Sequence, residues 1–292
     1  LSVLNNLGTA CKELGNFKSA VSFYEKVIRI NPNHTNAQYN SGVVSYGLRE
    51  LKKAKIFFKN TTEIQPNFAM AFVNLANVCV DLKEYENALS NYQKAIEINP
   101  KIVSAHNNLG LVFRELNDYQ NAISCYEKAI GIQTNHAGAH HNLALALKEL
   151  GKFNKAIESH EMAIKCEPEN LIHYFYLSEL KKDILDINLK KKIEKFIKNK
   201  KSNQSIIAYG NYLLSRYEKK LKNYKKELDY LTKGHQCFFD SRKEKFKLGI
   251  KYCFDDVLQI SRGVNVKVSI KKNINEINPI FIIGVPRCGS TL

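Results

Sequence analysis

The 292-residue chain lacks several features that would place it in a common class of protein. None of its seven cysteines stands in a Cys-x-x-Cys pair, which argues against a zinc ribbon or a disulfide framework. The chain contains no secretory leader and no apolar run long enough to cross a membrane. We therefore expect a cytoplasmic protein in a reducing compartment that does not enter a membrane.

The C-terminal part of the chain has little acidic charge. Residues 1–170 hold 18 Lys and Arg against 16 Asp and Glu, a net charge of +2, whereas residues 171–292 hold 26 against 12, a net charge of +14. Such a basic region would attract a polyanionic nucleotide or an acidic substrate. Nucleic acid is the weaker candidate, because the lysines are scattered along predicted helices and no nucleic-acid-binding motif is present.

A short histidine-rich segment raises the question of a metal site. It contains His136, His140 and His141. Adjacent residues of a helix point in different directions, so His140 and His141 cannot easily share one ion. We expect no metal site here.

What the chain does contain is an internal repeat of 34 residues across positions 1–170. Two slots are invariant, leucine at Leu14, Leu48, Leu82, Leu116 and Leu150, and alanine at Ala20, Ala54, Ala88, Ala122 and Ala156. A third slot is small and a fourth holds a ring: Gly8, Gly42, Ala76, Gly110 and Ala144; Tyr24, Phe58, Tyr92, Tyr126 and His160. Proline closes each unit except one, at Pro32, Pro66, Pro100 and Pro168, with Thr134 as the exception.

These slots have a packing meaning. Small residues let two antiparallel helices approach, rings fill the gap to the next pair, and proline ends the second helix. The pattern resembles the tetratricopeptide repeat (TPR), in five units: 1–34, 35–68, 69–102, 103–136 and 137–170. The resemblance implies an all-α solenoid whose first helices line a concave groove. Cys11 and Cys79 share one repeat slot and are expected in the core.

The sixth position of every unit is asparagine, although packing of the repeat does not require it. These residues are Asn6, Asn40, Asn74, Asn108 and Asn142. A row of amides in the groove can bond to the backbone of an extended peptide. Similar asparagine ladders occur in the TPR superhelix of O-linked N-acetylglucosamine transferase, and that resemblance implies a protein or peptide partner. The alternative is that the amides bond neighbouring helices or face water.

Beyond the fifth unit the repeat decays. Residues 171–240 are predicted to continue as degenerate helices that cap the solenoid, and residues 221–224 (LKNY) echo residues 14–17 (LGNF). Residues 217–238 also resemble the degenerate last helix pair of TPR-sulfotransferase fusions. Residues 241–278 are predicted to form a connector.

The last segment, residues 279–292 (PIFIIGVPRCGSTL), is predicted to be a buried strand followed by a phosphate-binding loop. The spacing of Gly284 and Gly289, followed by Ser290 and Thr291, matches a P-loop. Ser290, however, stands where a nucleoside triphosphatase has its lysine, and the cation is Arg287, inside the loop. Arginine and backbone amides can hold a phosphate or sulfate ester.

This loop resembles the 5′-phosphosulfate loop of sulfotransferases that use 3′-phosphoadenosine 5′-phosphosulfate (PAPS). The resemblance implies that Arg287, Cys288, Gly289, Ser290 and Thr291 bind PAPS as the sulfuryl donor, with Cys288 in place of the family's usual serine. In that family the catalytic base and the contacts to the 3′-phosphate lie downstream. We therefore expect the N-terminal part of a TPR-sulfotransferase, inactive as it stands.

Three alternatives are open for this loop. It can be an incidental turn in a protein that is purely a TPR scaffold. It can belong to a P-loop kinase or nucleotidase with a variant loop. A thiol phosphatase is the weakest candidate, because Arg287 precedes Cys288 instead of closing the loop several residues after it.

Overall fold

The computed structural model describes residues 1–198 and 203–251, which form helices joined by turns, with no β-strand among them. The α-helices are α1 Ser2–Glu13, α2 Phe17–Ile30, α3 Thr35–Gly47, α4 Leu51–Ile64, α5 Ala69–Asp81, α6 Tyr85–Ile98, α7 Val103–Glu115, α8 Tyr119–Ile132, α9 Ala137–Glu149, α10 Phe153–Cys166, α11 Leu171–Leu180, α12 Ile187–Lys198, α13 Gln204–Lys220 and α14 Tyr224–Lys251. The predicted all-α solenoid is confirmed. The strand predicted at the start of residues 279–292 lies outside the described residues. The chain divides into two compact units, Leu1–Phe238 and Phe239–Leu292.

The 34-residue period of the sequence reappears in the spacing of the helices. First helices of successive pairs begin at Thr35, Ala69, Val103 and Ala137, and second helices at Phe17, Leu51, Tyr85, Tyr119 and Phe153, each 34 residues after the one before. Each first helix packs on its own second helix, which in turn packs on the next first helix. The position of a residue in the repeat therefore fixes its neighbours.

The turn inside each pair is a Schellman motif, which needs one residue with left-handed backbone geometry. The residues at that position are Gly15, Arg49, Lys83, Asn117 and Gly151, with φ between 60° and 74°. The amide of the following residue bonds back across the turn, as from Asn16 to the carbonyl of Cys11 at 2.8 Å. A residue other than glycine costs roughly 1–2 kcal/mol in this conformation, so tertiary packing imposes the turn where the side chain is larger.

The second helix of the fourth repeat ends at the usual position without the proline that follows the other four. α8 ends at Ile132, the same repeat position as Ile30 in α2, although Thr134 replaces proline. The capping residues Gln133 and Asn31 both have φ −136° and ψ 94°. Proline is therefore compatible with this helix end, and the fourth repeat reaches the same geometry without it.

Within a repeat, the ring of the second helix lies on the small residue of the first. A Cβ atom on Gly8 would come within 2.6 Å of the Tyr24 ring, and one on Gly110 within 2.6 Å of the Tyr126 ring. The missing Cβ atom leaves room for the ring at Gly8 and Gly110, whereas the third repeat accommodates alanine at the same slot, as Ala76. Tyr24 is fully buried and also packs with Ala37 of the next repeat. Burial of such a ring contributes roughly 1.5–3 kcal/mol.

Helices α11 to α14 continue the stack with altered geometry. They form their own apolar cluster around Leu171, Ile193 and Leu213. The turn between α13 and α14 places Lys222 at φ 60°, in agreement with the likeness of residues 221–224 to residues 14–17. α14 continues past Asp240 to Lys251, into the segment for which the sequence predicts a connector.

The first helices form the inner side of the stack. Within the described helices, α1 contacts α3, α3 contacts α5, α5 contacts α7 and α7 contacts α9, while successive second helices lie farther apart. A stack that is closer on one side curves toward that side. The inner face is therefore built from α1, α3, α5, α7 and α9.

Candidate functional site

The inner face is unusual in its lack of charge. The first eleven positions of the five repeats contain no Asp, Glu, Lys or Arg: residues 1–11, 35–45, 69–79, 103–113 and 137–147. The charged residues of these helices are confined to the last turn, as at Lys12, Arg114 and Lys148. The second helices carry charges along their length, so the two sides of the stack differ in chemistry.

The asparagines of the sixth position form a row across these helices. Asn6 is exposed, whereas Asn40, Asn74, Asn108 and Asn142 are partly buried. Partial burial follows from the contacts between neighbouring first helices. Each amide therefore lies within reach of the preceding repeat and also of a ligand on the inner face.

A chain of side-chain hydrogen bonds joins three of the repeats. Asn142 donates through Nδ2 to Oδ1 of Asn107 (3.0 Å), and Asn107 donates to Oδ1 of Asn108 (3.1 Å). Asn108 then donates to Oδ1 of Asn77 (3.1 Å), which also accepts from the hydroxyl of Tyr92. Burial raises the pKa of Tyr92. The fifth repeat is thus linked through the fourth to both helices of the third.

The same type of bond recurs toward the N-terminus. Asn74 donates to the hydroxyl of Tyr39 in the preceding repeat (2.9 Å), and Asn40 accepts from Nζ of Lys12 in the preceding repeat (3.2 Å). Sequence reasoning missed these partners, because Tyr39, Asn77 and Asn107 do not hold one invariant repeat position. The structure thus gives the amides a role between helices.

The asparagine row keeps unused hydrogen-bonding capacity. No other described residue donates to Oδ1 of Asn74 or of Asn142, and none accepts from Nδ2 of Asn40. An amide side chain provides two donor hydrogens and one acceptor oxygen, so one bond to a neighbouring helix does not exhaust it. The predicted peptide contacts remain sterically and chemically open, and they stay a prediction.

The histidines that were considered as metal ligands from the sequence have separate structural roles. His136 caps α9 by accepting from the amide of Ala139 at 2.9 Å, and His140 bonds through Nε2 to the carbonyl of Thr134 at 2.9 Å. Gln38 makes the equivalent bond to the carbonyl of Pro32 (2.9 Å). Within residues 1–198 and 203–251, no set of three His, Cys, Asp or Glu residues has the geometry of a metal site.

The described cysteines are free thiols. Cys79 and Cys125 are buried, and burial raises the pKa of each to about 11. Cys11 shares the repeat slot of Cys79 and packs against the apolar cluster of the first two repeats, but it is only partly buried. A buried thiol with a raised pKa is a packing residue and a poor nucleophile.

The predicted PAPS-binding residues Arg287, Cys288, Gly289, Ser290 and Thr291 lie outside the described residues. Their assignment therefore continues to depend on the sequence motif.

No helix in the described part of the chain has the length and apolar character needed to cross a membrane.

Comparison with known families identifies the repeats directly. Residues 2–34 match one tetratricopeptide repeat profile, and residues 67–135 and 101–166 match another. The helical stack over these residues is therefore a tetratricopeptide solenoid. The chain has no match among curated proteins.

Solved structures with this fold agree with that assignment. A crystal structure of MamA shares 25% identity with a TM-score of 0.53, covering 56% of this chain and 95% of that one. MamA from Desulfovibrio magneticus RS-1 shares 20% identity with a TM-score of 0.54, over 57% and 94%. YrrB, described as a TPR protein with an unusual peptide-binding site, shares 22% identity with a TM-score of 0.52, over 59% and 88%. These similarities concern the fold.

Proposed function

We propose that the inner face binds an extended, uncharged peptide segment and that the chain acts as a scaffold for protein–protein interaction. The observation that carries the proposal is a first-helix face without charge over its first eleven positions, crossed by a row of amides with unused polar atoms. An amide both donates and accepts, so it matches a peptide backbone without reading side chains. The peptide-binding site named for YrrB, on the same fold, supports this choice.

An acidic ligand or a free C-terminal carboxylate is a poorer match for this face. The cations closest to the asparagine row are already paired, Lys12 with Asn40 and Lys148 with Glu179 at 2.6 Å. Capture of a carboxylate usually depends on an available Lys or Arg. We therefore expect recognition of the backbone of an internal segment.

Fluorescence polarisation tests this function with the tightest neutral peptide from a display library, in free-acid and amidated forms. Ser104→Glu places a charge one turn before Asn108 on the same helix face. Ser90→Glu is the matched control, on the second helix α6, and both serines are exposed. We expect Ser104→Glu to weaken binding on the order of tenfold, because the peptide must desolvate the new carboxylate. Ser90→Glu and amidation should have no effect. Equal weakening by both variants, or binding that needs the free carboxylate, would contradict the proposal.

A second candidate function rests on residues 279–292. The run GVPRCGST supports a PAPS-dependent sulfotransferase domain that follows the solenoid, in which Arg287 and the loop amides hold the 5′-phosphosulfate. Charge that develops on the leaving phosphate would be stabilised by these donors. Binding of 3′-phosphoadenosine 5′-phosphate by the product of the complete gene tests this function, with a P-loop kinase as the competing outcome.

A further inference from the structure

Three histidines meet at the junction between the fifth repeat and the helices that follow it. The histidine cluster consists of His141 on α9, His160 on α10 and His173 on α11. The ring centre of His141 lies 5.3 Å from that of His160 and 5.1 Å from that of His173. Tyr176 covers the group, with its ring 5.0 Å from His141. The junction therefore brings three imidazole rings into one cluster.

Each histidine of the cluster stands at a repeat position that other repeats fill with a different residue type. His160 holds the ring slot, which is Tyr or Phe in the other four repeats. His173 holds a slot that is alanine in the second to fifth repeats, namely Ala37, Ala71, Ala105 and Ala139, all fully buried. His141 holds a slot occupied by Asn107 in the repeat before it. Other repeats of the chain thus supply a residue without an imidazole ring for each of the three positions.

The surroundings of the cluster suit neutral rings and not charged ones. His160 is fully buried, and neither of its ring nitrogens has a hydrogen-bond partner among the residues that the structure describes. Nδ1 of His173 lies 3.4 Å from Nδ1 of His141, and Nε2 of His173 lies 3.4 Å from a carboxylate oxygen of Glu167. Glu167 itself is about half exposed, at 54%. Its carboxylate faces only one member of the cluster.

The other charges around the cluster cannot neutralise a proton on it. Arg114 on α7 acts on His141, and Lys148 on α9 acts on His160, both disfavouring a positive ring. Glu179 on α11 is held by Lys148 at 2.6 Å and by Arg216 on α13 at 3.1 Å. The Glu179 carboxylate is therefore already shared between two cations.

Burial is the main cause of lowered pKa values throughout the cluster, and the neighbouring rings and cations add to it. The pKa of His141 falls to about 3 and that of His160 to about 4. The pKa of His173 is also lowered by burial, with Glu167 opposing the shift. These shifts favour the neutral form of the His141 and His160 rings at neutral pH.

We propose that the histidine cluster is an acid-sensitive latch, closed at neutral pH and opened when protons bind to its rings, that separates α11 from the fifth repeat. Neutral rings pack at the junction as the tyrosine and alanine do elsewhere. A proton on His160 places a positive charge on a fully buried ring that contacts none of the described carboxylates, and separation of α10 and α11 returns that ring to water. Repeat proteins can open at one junction while the others stay closed, because each pair contacts only its neighbours.

The direction of the pH effect follows from linkage. The folded pKa values lie below the ordinary histidine value of about 6.5, so the stability that these rings contribute is present above that value and is lost as pH falls below it. Each ring that stays neutral in the closed state and ionises in the open state favours opening by roughly tenfold at pH 5.5. Three such rings give a limit of about 1,000-fold.

Hydrogen exchange measured by mass spectrometry on the 292-residue chain tests the latch. The readout is the protection of peptides from residues 171–180 at pH 7.5 and 5.5, corrected for the chemical exchange rate. The main variant, His141→Asn with His160→Tyr and His173→Ala, gives each position the residue used in other repeats. His140→Gln is the matched control, since His140 is a buried histidine with a hydrogen-bond partner and Gln38 makes the same bond.

We expect wild type and His140→Gln to lose protection by at least tenfold more than the triple variant between the two pH values. If circular dichroism shows that the triple variant is not folded at pH 7.5, His160→Tyr alone carries the test, with an expected reduction of the pH response of roughly tenfold. An equal pH response in wild type and the folded variant overturns the latch. The latch is also overturned if ZnCl2 stabilises wild type but not the variant, because the cluster would then be a metal site.

Discussion

Asn108 donates from its side chain to Oδ1 of Asn77 over 3.1 Å, and this bond joins the first helices of the third and fourth repeats. The same oxygen accepts from the hydroxyl of Tyr92, which lies on the second helix of the third repeat. Helices α5, α6 and α7 thus meet at one amide. Asn77 is therefore a point at which the stacking of repeats depends on a single side chain.

Asn108→Ala and Asn77→Ala should both destabilise the solenoid, and not by independent amounts. Asn108→Ala removes one bond and should cost about 0.5–1.5 kcal/mol. Asn77→Ala should cost about 1–3 kcal/mol, because it also leaves the Tyr92 hydroxyl without its acceptor. Urea denaturation of both single variants and the double variant measures the coupling. Asn6→Ala, at an exposed position, is the control, and additive effects of Asn77→Ala and Asn108→Ala would show that the two side chains are independent.

Ala88→Leu and Ala122→Leu should destabilise the fold by about 1–3 kcal/mol, since each enlarges a side chain at a tight helix crossing. Both alanines are fully buried. Ser90→Leu, an exposed position on the same helix as Ala88, should change the thermal midpoint little. Thermal melting followed by circular dichroism compares them. A midpoint for Ala88→Leu equal to that of Ser90→Leu would mean that the crossing has spare room.

Glu218→Ala should be strongly destabilising, at about 3–5 kcal/mol, because it leaves the charge of Lys190 without a partner in a poorly solvated site. Glu218 is 2% exposed and lies 2.7 Å from Lys190, whose pKa is raised mainly by this hydrogen bond. Glu97→Ala removes the exposed partner of Lys94 and should cost less than about 1 kcal/mol. The free energies of unfolding in urea decide between them. Similar losses for the two variants would place Glu218 in a solvent-like environment.

Cys79 and Cys125 should react with iodoacetamide far more slowly than Cys11 and Cys166 in the native protein at pH 8. The first two thiols are buried with pKa values raised to about 11, and the other two are partly exposed. The thiolate is the reactive form, so both access and charge protect the buried pair. Peptide mass spectrometry after timed alkylation gives the order, and denaturant should abolish it. Fast labelling of Cys125 in native conditions would indicate opening of the fourth repeat.

In the product of the complete gene, Arg287→Ala should weaken binding of 3′-phosphoadenosine 5′-phosphate by about 1.5–3 kcal/mol, through loss of a charge-assisted contact to the 5′-phosphate. Cys288→Ser should be neutral or slightly favourable, since a hydroxyl is the better donor. Calorimetry measures both, with MgATP as the competing nucleotide. Tight MgATP binding that ignores the 3′-phosphate and is unaffected by Arg287→Ala would favour the P-loop kinase.

Much of the solenoid could be predicted from residues that recur. The small residue and the ring of each repeat, such as Gly110 and Tyr126, predict a helix crossing that the structure shows at the same positions. The helix end at Ile132 shows that this boundary forms without proline in the fourth repeat. A residue that is compatible with a helix end need not cause it. The fourth repeat, which lacks the proline, distinguishes compatibility from cause at its own helix end.

The sequence predicted where the inner face lies but not which side-chain hydrogen bonds its asparagines make. The invariant asparagine identified the row, yet its partners differ in residue type. Tyr39 and Asn107 share the fifth repeat position, whereas Asn77 holds the ninth, so no single residue type along the chain indicates them. The histidine cluster was hidden for the same reason. His141 drew attention through its sequence neighbour His140, whereas its spatial neighbours are His160 and His173.

The sequence by itself determined the period, the helix pairs and the side of the stack that carries the amides, because those depend on local spacing repeated five times. Tertiary structure alone decided which amide bonds which neighbour, which turns force Arg49 and Lys83 into left-handed geometry, and which histidines meet. The physical reason is the stacking of helix pairs. Residues about 19 to 35 positions apart are brought within hydrogen-bond or ring-contact distance only when one repeat curves over the next.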